Sequence, residues 1–371
     1  MKILHLCNKV PYPGRDGSSL AMEALIRLEI KAGHEVHVLA LNTDKHFVSH
    51  PKAPAGIRFE APAVRVSPSL RGLIGHLLHP ASYFAARFDH ATVRHRISVL
   101  AAEVDLIVVD SLFMAVYRMA FGQTPWILRA HNVEHQIWER TLEGMAWSPK
   151  KVFTAWQTRR LKRWESLMLQ GTEVWAISEE DAVALRRMGA KSVRTLPCTY
   201  DVDGPWTSSG AAASGVYHLG ALDWLPNVQG LQWYLEQVHP HVQVPVTVIS
   251  RHWPAQLHTP IGLTHLSRLE DGFSFDAHGI FIAPILSGSG MRIKLLEAMV
   301  RGKAIVTTSI GAEGLENAPG IAVANDPVAF AEAIQRLVDD KDFRLAQGAA
   351  AQAHARATFA DDAFVASMHA L

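Results

Sequence analysis

Residues 287–299 read Ser287-Gly288-Ser289-Gly290-Met291-Arg292-Ile293-Lys294-Leu295-Leu296-Glu297-Ala298-Met299. Gly288 and Gly290 let the backbone approach a ligand closely, and a helix starting at Gly290 would present free N–H groups and a positive dipole end to an anion. Arg292 and Lys294 fall in the first turn of that helix, where cations oppose the dipole. Beside a diphosphate the same charges have a purpose. Glu297, one turn on, is placed to accept hydrogen bonds from sugar or ribose hydroxyls. A plain glycine-rich turn between strand and helix is the structural alternative.

Two further constellations could do chemistry. His131 follows a strand-like run, Trp126–Ala130, and ligands gather at strand ends in open parallel sheets. Asp201-Val202-Asp203 offers a paired-carboxylate metal motif, but it lies in a linker-like stretch, and no His/Cys/Asp cluster has zinc spacing. No metal is expected.

The elements that must carry these residues alternate along the chain. Ile3–Cys7, Glu35–Leu41, Ile57–Ala61, Asp105–Val109, Trp126–Ala130, Glu173–Ile177 and Val193–Leu196 read as strands, with Leu20–Ala32 a helix ended by Gly33 and a long basic helix over 149–170. A second series runs from Gly215 to Gly220, then through a helix over Val228–Gln237 and a strand over Val244–Ile249. The 279–308 unit follows, then Ile321–Val323, Val328–Val338 and Phe343–Ala355. Two such series predict an α/β protein with two Rossmann-like domains facing a central cleft. The expected division is 1–200, a linker over 201–214, 215–355, and a C-terminal helix over 356–371 packing back on the first domain. Neither first turn carries G-x-G-x-x-G, which counts against a nicotinamide or flavin dehydrogenase.

The 371 residues suit two domains, and a net charge of +1 argues against a general nucleic-acid binder. Cys7 and Cys198 alone suit a reducing compartment. The apolar opening is too short for a signal peptide, and no apolar run approaches the roughly 20 residues of a membrane-spanning helix, so a cytoplasmic protein is expected.

The motifs resemble those of the retaining GT-B glycosyltransferases of family 4. The loop from Pro11 to Ser19 is similar to the family's proline-then-glycine loop, with Gly17 at the donor. Arg129-Ala130-His131-Asn132-Val133-Glu134 resembles the segment that puts a histidine at the cleft, and Ala176-Ile177-Ser178-Glu179-Glu180-Asp181 the V-S-E-x-D step. Gly220-Ala221-Leu222-Asp223-Trp224-Leu225-Pro226-Asn227 is similar to a subgroup marked by G-x-x-D-W-x-P-N. The same subgroup is matched by Gly290 to Glu297 with Gly311-Ala312-Glu313-Gly314-Leu315.

This resemblance implies a nucleotide-diphosphate sugar as donor substrate, no cofactor, and a glycan or lipid-linked acceptor received by the first domain, in cell-surface polysaccharide or secondary-metabolite synthesis. His131, Arg292 and Lys294 would be catalytic. Gly17, Gly220, Asn227, Arg251, Ser289, Gly290, Met291 and Glu297 would bind the donor. The family usually carries a glutamate where Ser289 stands, and its arginine and lysine after the first strand of the second domain are missing near Gly220. Arg292 and Lys294, with Arg251, are the candidates to replace them. A nucleotide-sugar epimerase and a catalytically degenerate nucleotide-sugar-binding protein are the alternative readings.

Two basic segments suggest peripheral contact with the inner face of the cell membrane. In 70–96, Leu70, Leu73, Ile74, Leu77, Leu78, Tyr83 and Phe84 alternate with Arg71, His76, His79, Arg87, His90, Arg94, His95 and Arg96. The second, Lys150 to Trp164, also reads as a solvated face on a helix packed to its domain.

Overall fold

The computed structural model describes residues 1–14, 16–67, 79–200, 212–288, 290–315 and 317–369. Ser289, the 68–78 part of the basic segment with Leu70, Arg71, Leu73, Ile74, His76, Leu77 and Leu78, and Asp201 to Asp203 lie outside the described residues. The chain divides into two compact units, Met1–Cys198 with Phe364–Leu371, and Thr199–Ala363.

The first unit is built on strands β1 Lys2–Cys7, β2 Glu35–Ala40, β3 Asn42–Thr43, β4 Arg58–Glu60, β5 Ala63–Val64, β6 Leu106–Asp110, β7 Trp126–Ala130, β8 Glu173–Ala176 and β9 Ser192–Thr195. Seven form one sheet in the order β4-β2-β1-β6-β7-β8-β9, every neighbouring pair parallel. β3 and β5 pair separately. Successive side chains of β1 part to opposite faces. Leu4 and Leu6 join the core beneath the helix Pro149–Leu169, with Leu161, Trp164 and Met168. Ile3 meets Leu25 and Leu28 of the helix Gly17–Lys31. That helix starts at a capping box: Asp16 accepts from the Ser19 amide at 3.0 Å and is itself held by Lys9 Nζ at 2.6 Å.

The second unit carries β10 Val216–Leu219, β11 Val246–Ile249, β12 Leu263–Leu266, β13 Ile280–Ala283, β14 Ala304–Thr307 and β15 Ile321–Val323. Their order is β12-β11-β10-β13-β14-β15, again parallel throughout. Both sheets therefore reverse their strand order once, between β1 and β6 and between β10 and β13. In doubly wound sheets that reversal opens a crevice at the carboxyl ends of the strands.

Two helices differ from expectation. The helix expected over 228–237 begins at Leu225, with Pro226 in its first turn, and passes at Tyr234 into a π turn ending at Val238. The tail is not one helix over 356–371. Lys341–Phe359 ends where Ala360 bridges to Tyr200, whose amide donates to Phe359 O at 3.0 Å, and Asp362–His369 follows as a separate helix. Its Phe364, Val365 and Met368 pack with Ile3, Leu28, Trp175 and Leu196 of the first unit.

Candidate functional site

The crevice of the second unit is walled by the loop after β13. Gly290 adopts φ 78° and Gly288 φ 119°, left-handed values that carry the chain round to a helix running Ile293–Val300. The helix starts later than the spacing predicts. Arg292 is its N-cap, at φ −88° and ψ 98°, and Lys294 is its second residue. The Arg292 guanidinium lies against Gly288, within 3.8 Å of the Glu313 carboxylate and 3.5 Å of Ile310 O. It thereby joins the loop after β13 to the loop after β14. The loops are also tied by Thr308 Oγ1 donating to Ile285 O, and that hydroxyl is held in turn by the Gly311 amide of its own loop at 3.0 Å.

Lys294 pairs with no carboxylate among the described residues. Its half-buried amine is pushed down to about 7, first by desolvation and then by the Arg292 charge. His218 of β10 is nearby and fully buried. Its Nδ1–H donates to Ile282 O at 3.0 Å, while Nε2 has no hydrogen-bond partner among the described residues. Burial, then the Lys294 charge, push it down to about 3, so it is a neutral ring at neutral pH. Excess positive charge at the end of β13 is what an anionic ligand would neutralise.

The remaining candidates of this unit have definite places. Gly220 follows β10 and donates its amide to Ile249 O at 3.1 Å. Asn227 lies in the helix Leu225–Trp233, its Nδ2 donating to Ala221 O at 2.9 Å, so it braces the loop between strand and helix. Met291 is buried against Gly314. Arg251 is exposed just beyond β11. Glu297 accepts from Arg301 Nε at 3.1 Å and Nη2 at 3.0 Å, and that guanidinium stacks over the Phe275 ring at 3.9 Å. The carboxylate is thus preset by a partner one helical turn along, which its sequence position alone did not reveal.

In the first unit, His131 immediately follows β7. Its Nε2 is bonded to Asp110 Oδ1 at the end of β6. Asp110 Oδ2 accepts from His5 Nε2 at 2.9 Å, and His5 Nδ1 donates to both oxygens of Glu29 at 3.0 Å. His5, Glu29 and Asp110 are fully buried. Burial alone would raise the Asp110 carboxyl, but His131 and then His5 hold it far below the usual carboxylate range. Ser111, next in the chain, takes φ 112°, an uncommon conformation for a residue with a Cβ, and its Oγ accepts from Asn8 Nδ2 at 3.2 Å.

The segment around His131 is fixed by acids from other elements. Glu165 accepts from the amides of Glu134 at 2.9 Å and His135 at 3.1 Å, and Asp181 from that of Val133. Glu134 itself is raised to about 8 by burial and by Glu165 and Asp181, so it is protonated at neutral pH. Gly17 is exposed as the first residue of its helix.

Residues 213–340 match the family model described as glycosyl transferases group 1. Over 138 residues the chain is 35% identical to an uncharacterized 44.6 kDa protein in the cps region of Klebsiella pneumoniae. That match covers 32% of this chain and about a third, 36%, of the relative's length. Sucrose-phosphate synthase from Thermosynechococcus elongatus superposes with a TM-score of 0.69 at 15% identity, covering 99% of this chain and 97% of that one. Anabaena HepE in complex with UDP-glucose superposes with a TM-score of 0.63 at 17% identity, covering 99% and 98%. The fold is GT-B.

In this GT-B chain no helix among the described residues is long and apolar enough to cross a membrane. Among them, no group of three or more His, Cys, Asp or Glu could hold a metal ion. The 70–96 segment does not present the apolar face expected of it in its described part. Tyr83 and Phe84 are buried in the core, and Phe84 stacks on Trp138 at 3.9 Å. Arg96 donates to both Glu60 oxygens, and Arg94 pairs with Asp89. The apolar side chains face inward because the helices Tyr83–Ala86 and Ala91–Ala101 cover the sheet.

Proposed function

We propose that the chain is a glycosyltransferase that moves a sugar from a nucleotide-diphosphate sugar to a glycan or lipid-linked acceptor, with retention at the anomeric carbon. The observation that carries the reading is the cationic turn after β13, where Arg292 and Lys294, the latter with no carboxylate partner among the described residues, stand at the start of a helix beside left-handed glycines. A leaving diphosphate accumulates negative charge, and preorganised cations with free helix amides favour that charge without a metal. Gly290 and Met291 carry the backbone past the phosphates, with Ser289 between the glycines. Glu297, preset by Arg301, accepts from ribose or sugar hydroxyls. Gly220, Asn227 and Arg251 shape the opposite wall.

In this reading the first unit receives the acceptor and contributes Gly17 and His131, with His131 positioning the transferred sugar. No side chain is needed as a strong base when the leaving phosphate accepts the acceptor's proton. The match to a group 1 glycosyltransferase model and the UDP-glucose held by HepE support this choice of donor class. We place the protein in the cytoplasm, against the inner face of the cell membrane when its acceptor is lipid-linked.

Incubation with UDP-, GDP- and dTDP-sugars and candidate acceptors tests the reading. Acceptor-dependent release of nucleotide diphosphate is expected. Interconversion of the donor sugar without transfer, or binding without turnover, would replace it with an epimerase or a binding protein.

A further inference from the structure

The first unit buries a row of ionisable side chains beneath its sheet's carboxyl edge. Cys7, Asp110, Arg129 and Trp175 are register partners across β1, β6, β7 and β8, so their side chains share one face. His5, two residues before Cys7, lies on that face also, and Glu29 reaches it from the helix Gly17–Lys31. Both ring nitrogens of His5 stand 2.9–3.0 Å from carboxylate oxygens, one set on Glu29 and one on Asp110. An imidazole with an acceptor on each side satisfies both only when both nitrogens carry protons. The Glu29 charge and the Asp110 hydrogen bond more than offset the burial that would neutralise this ring, and its affinity for a proton is raised well above the ordinary value.

Asp110 then uses its second oxygen on His131 Nε2. That contact occupies one ring nitrogen and leaves Nδ1 as the atom His131 can offer to a ligand. The groups facing this row are Glu29 from the helix, Cys7 and His5 from β1, Arg129 from β7, and Cys198. Arg129 donates to Leu196 O and sits across from Asp110. The buried row Glu29, His5 and Asp110, extended by His131, holds one geometry because any broken link leaves a buried charge uncompensated.

We propose that Glu29 and His5 are positioning residues that act through Asp110 to fix the ring of His131 with Nε2 protonated and Nδ1 turned to the substrate. The inference rests on the reading of His131 as the residue that positions the transferred sugar. Nδ1 would meet a sugar hydroxyl, accepting a hydrogen bond from its O–H when the ring is neutral and donating to its oxygen when the ring is charged. No proton has to travel along the chain.

Ring-nitrogen NMR of the full-length, histidine-15N-labelled protein without ligand tests the arrangement independently of any transfer activity. Expected are a doubly protonated His5 at pH 7 and a proton on Nε2 of His131. A singly protonated His5, or a His131 with the proton on Nδ1, overturns the proposal even if no variant folds. Glu29→Gln, which keeps the shape and an acceptor but removes the charge, should shift the His131 ring signals. It should also shift the kcat–pH profile, with the donor KM unchanged. An unmoved profile and unmoved signals in the folded variant overturn it too. A wild-type protein with the expected ring states but no transfer would contradict the glycosyltransferase reading and leave the positioning intact.

Discussion

His218 lies directly beneath Gly220: a Cβ on that glycine would stand 2.8 Å from His218 Nε2. The ring cannot swing away, because its Nδ1 is tied to Ile282 O and the residue is 2% exposed. The absence of a side chain at 220 therefore keeps the end of β10 open above a neutral histidine. Gly220→Ala should cost about 1–3 kcal/mol of stability by overpacking, read from the denaturation midpoint of the second unit. An unaltered midpoint would show that the loop gives way freely.

Acid should destabilise the same unit through His218. Its folded value is about 3 against about 6.5 unfolded, so between those limits the unfolded chain binds the extra proton. Stability is therefore fully present above pH 6.5 and falls as pH drops, at up to about 1.4 kcal/mol per unit from this group. His218→Gln should flatten that part of the pH–stability curve. A curve of the same slope in the variant would remove His218 as its source.

Lys294 carries the opposite signature on binding. Free, its amine sits near 7; beside a diphosphate the ammonium is favoured and the value should rise. The complex therefore takes up a proton at pH 8, and nucleotide-diphosphate affinity falls as pH rises above 7. Calorimetry in two buffers of different ionisation enthalpy reads that proton directly. Zero uptake at pH 8 would place the phosphates away from Lys294.

The Glu297 carboxylate, held by Arg301, should account for about 1.5–3 kcal/mol of nucleotide-sugar binding through a charge-assisted bond to a hydroxyl. Glu297→Gln should weaken binding to match in a calorimetric titration. Unchanged affinity in a folded variant would exclude it from the site.

Arg292 should matter more to turnover than to folding. Arg292→Ala is expected to lower kcat by about 10²–10³, the scale of one lost preorganised contact, and EDTA should change little. A rate that collapses with chelator and returns with magnesium would contradict the metal-free mechanism.

Much of this fold was legible because parallel strands buried on both faces read as short apolar runs. β7 was placed to the residue, and so was β15, a half-exposed edge strand that is nonetheless wholly apolar. β12 was missed: Leu263 to Leu266 is a half-exposed edge strand whose mixed pattern resembles a loop. The turn after β13 announced itself by spacing, yet its helix began later than predicted, since Gly290 and the Arg292 cap still belong to the turn. The charged row behind His131 was not read, because its contacts span 24 and 105 residues. Two signals pointed to it. Glu29 interrupts the apolar stripe of Met22, Leu25 and Ile26, and Asp110 ends a strand that is otherwise wholly apolar. A carboxylate on a buried stripe needs a partner, and here each had His5.

The most direct test of the central claim follows an α-linked nucleotide-diphosphate sugar by proton NMR in the presence of enzyme, with and without acceptor. The donor's anomeric signal should decay only when acceptor is present, replaced by an α-glycoside and free nucleotide diphosphate in equal amounts. A β-linked product would contradict retention. A new nucleotide-sugar signal without acceptor, or no change at all across the donor classes, would contradict the glycosyltransferase assignment itself.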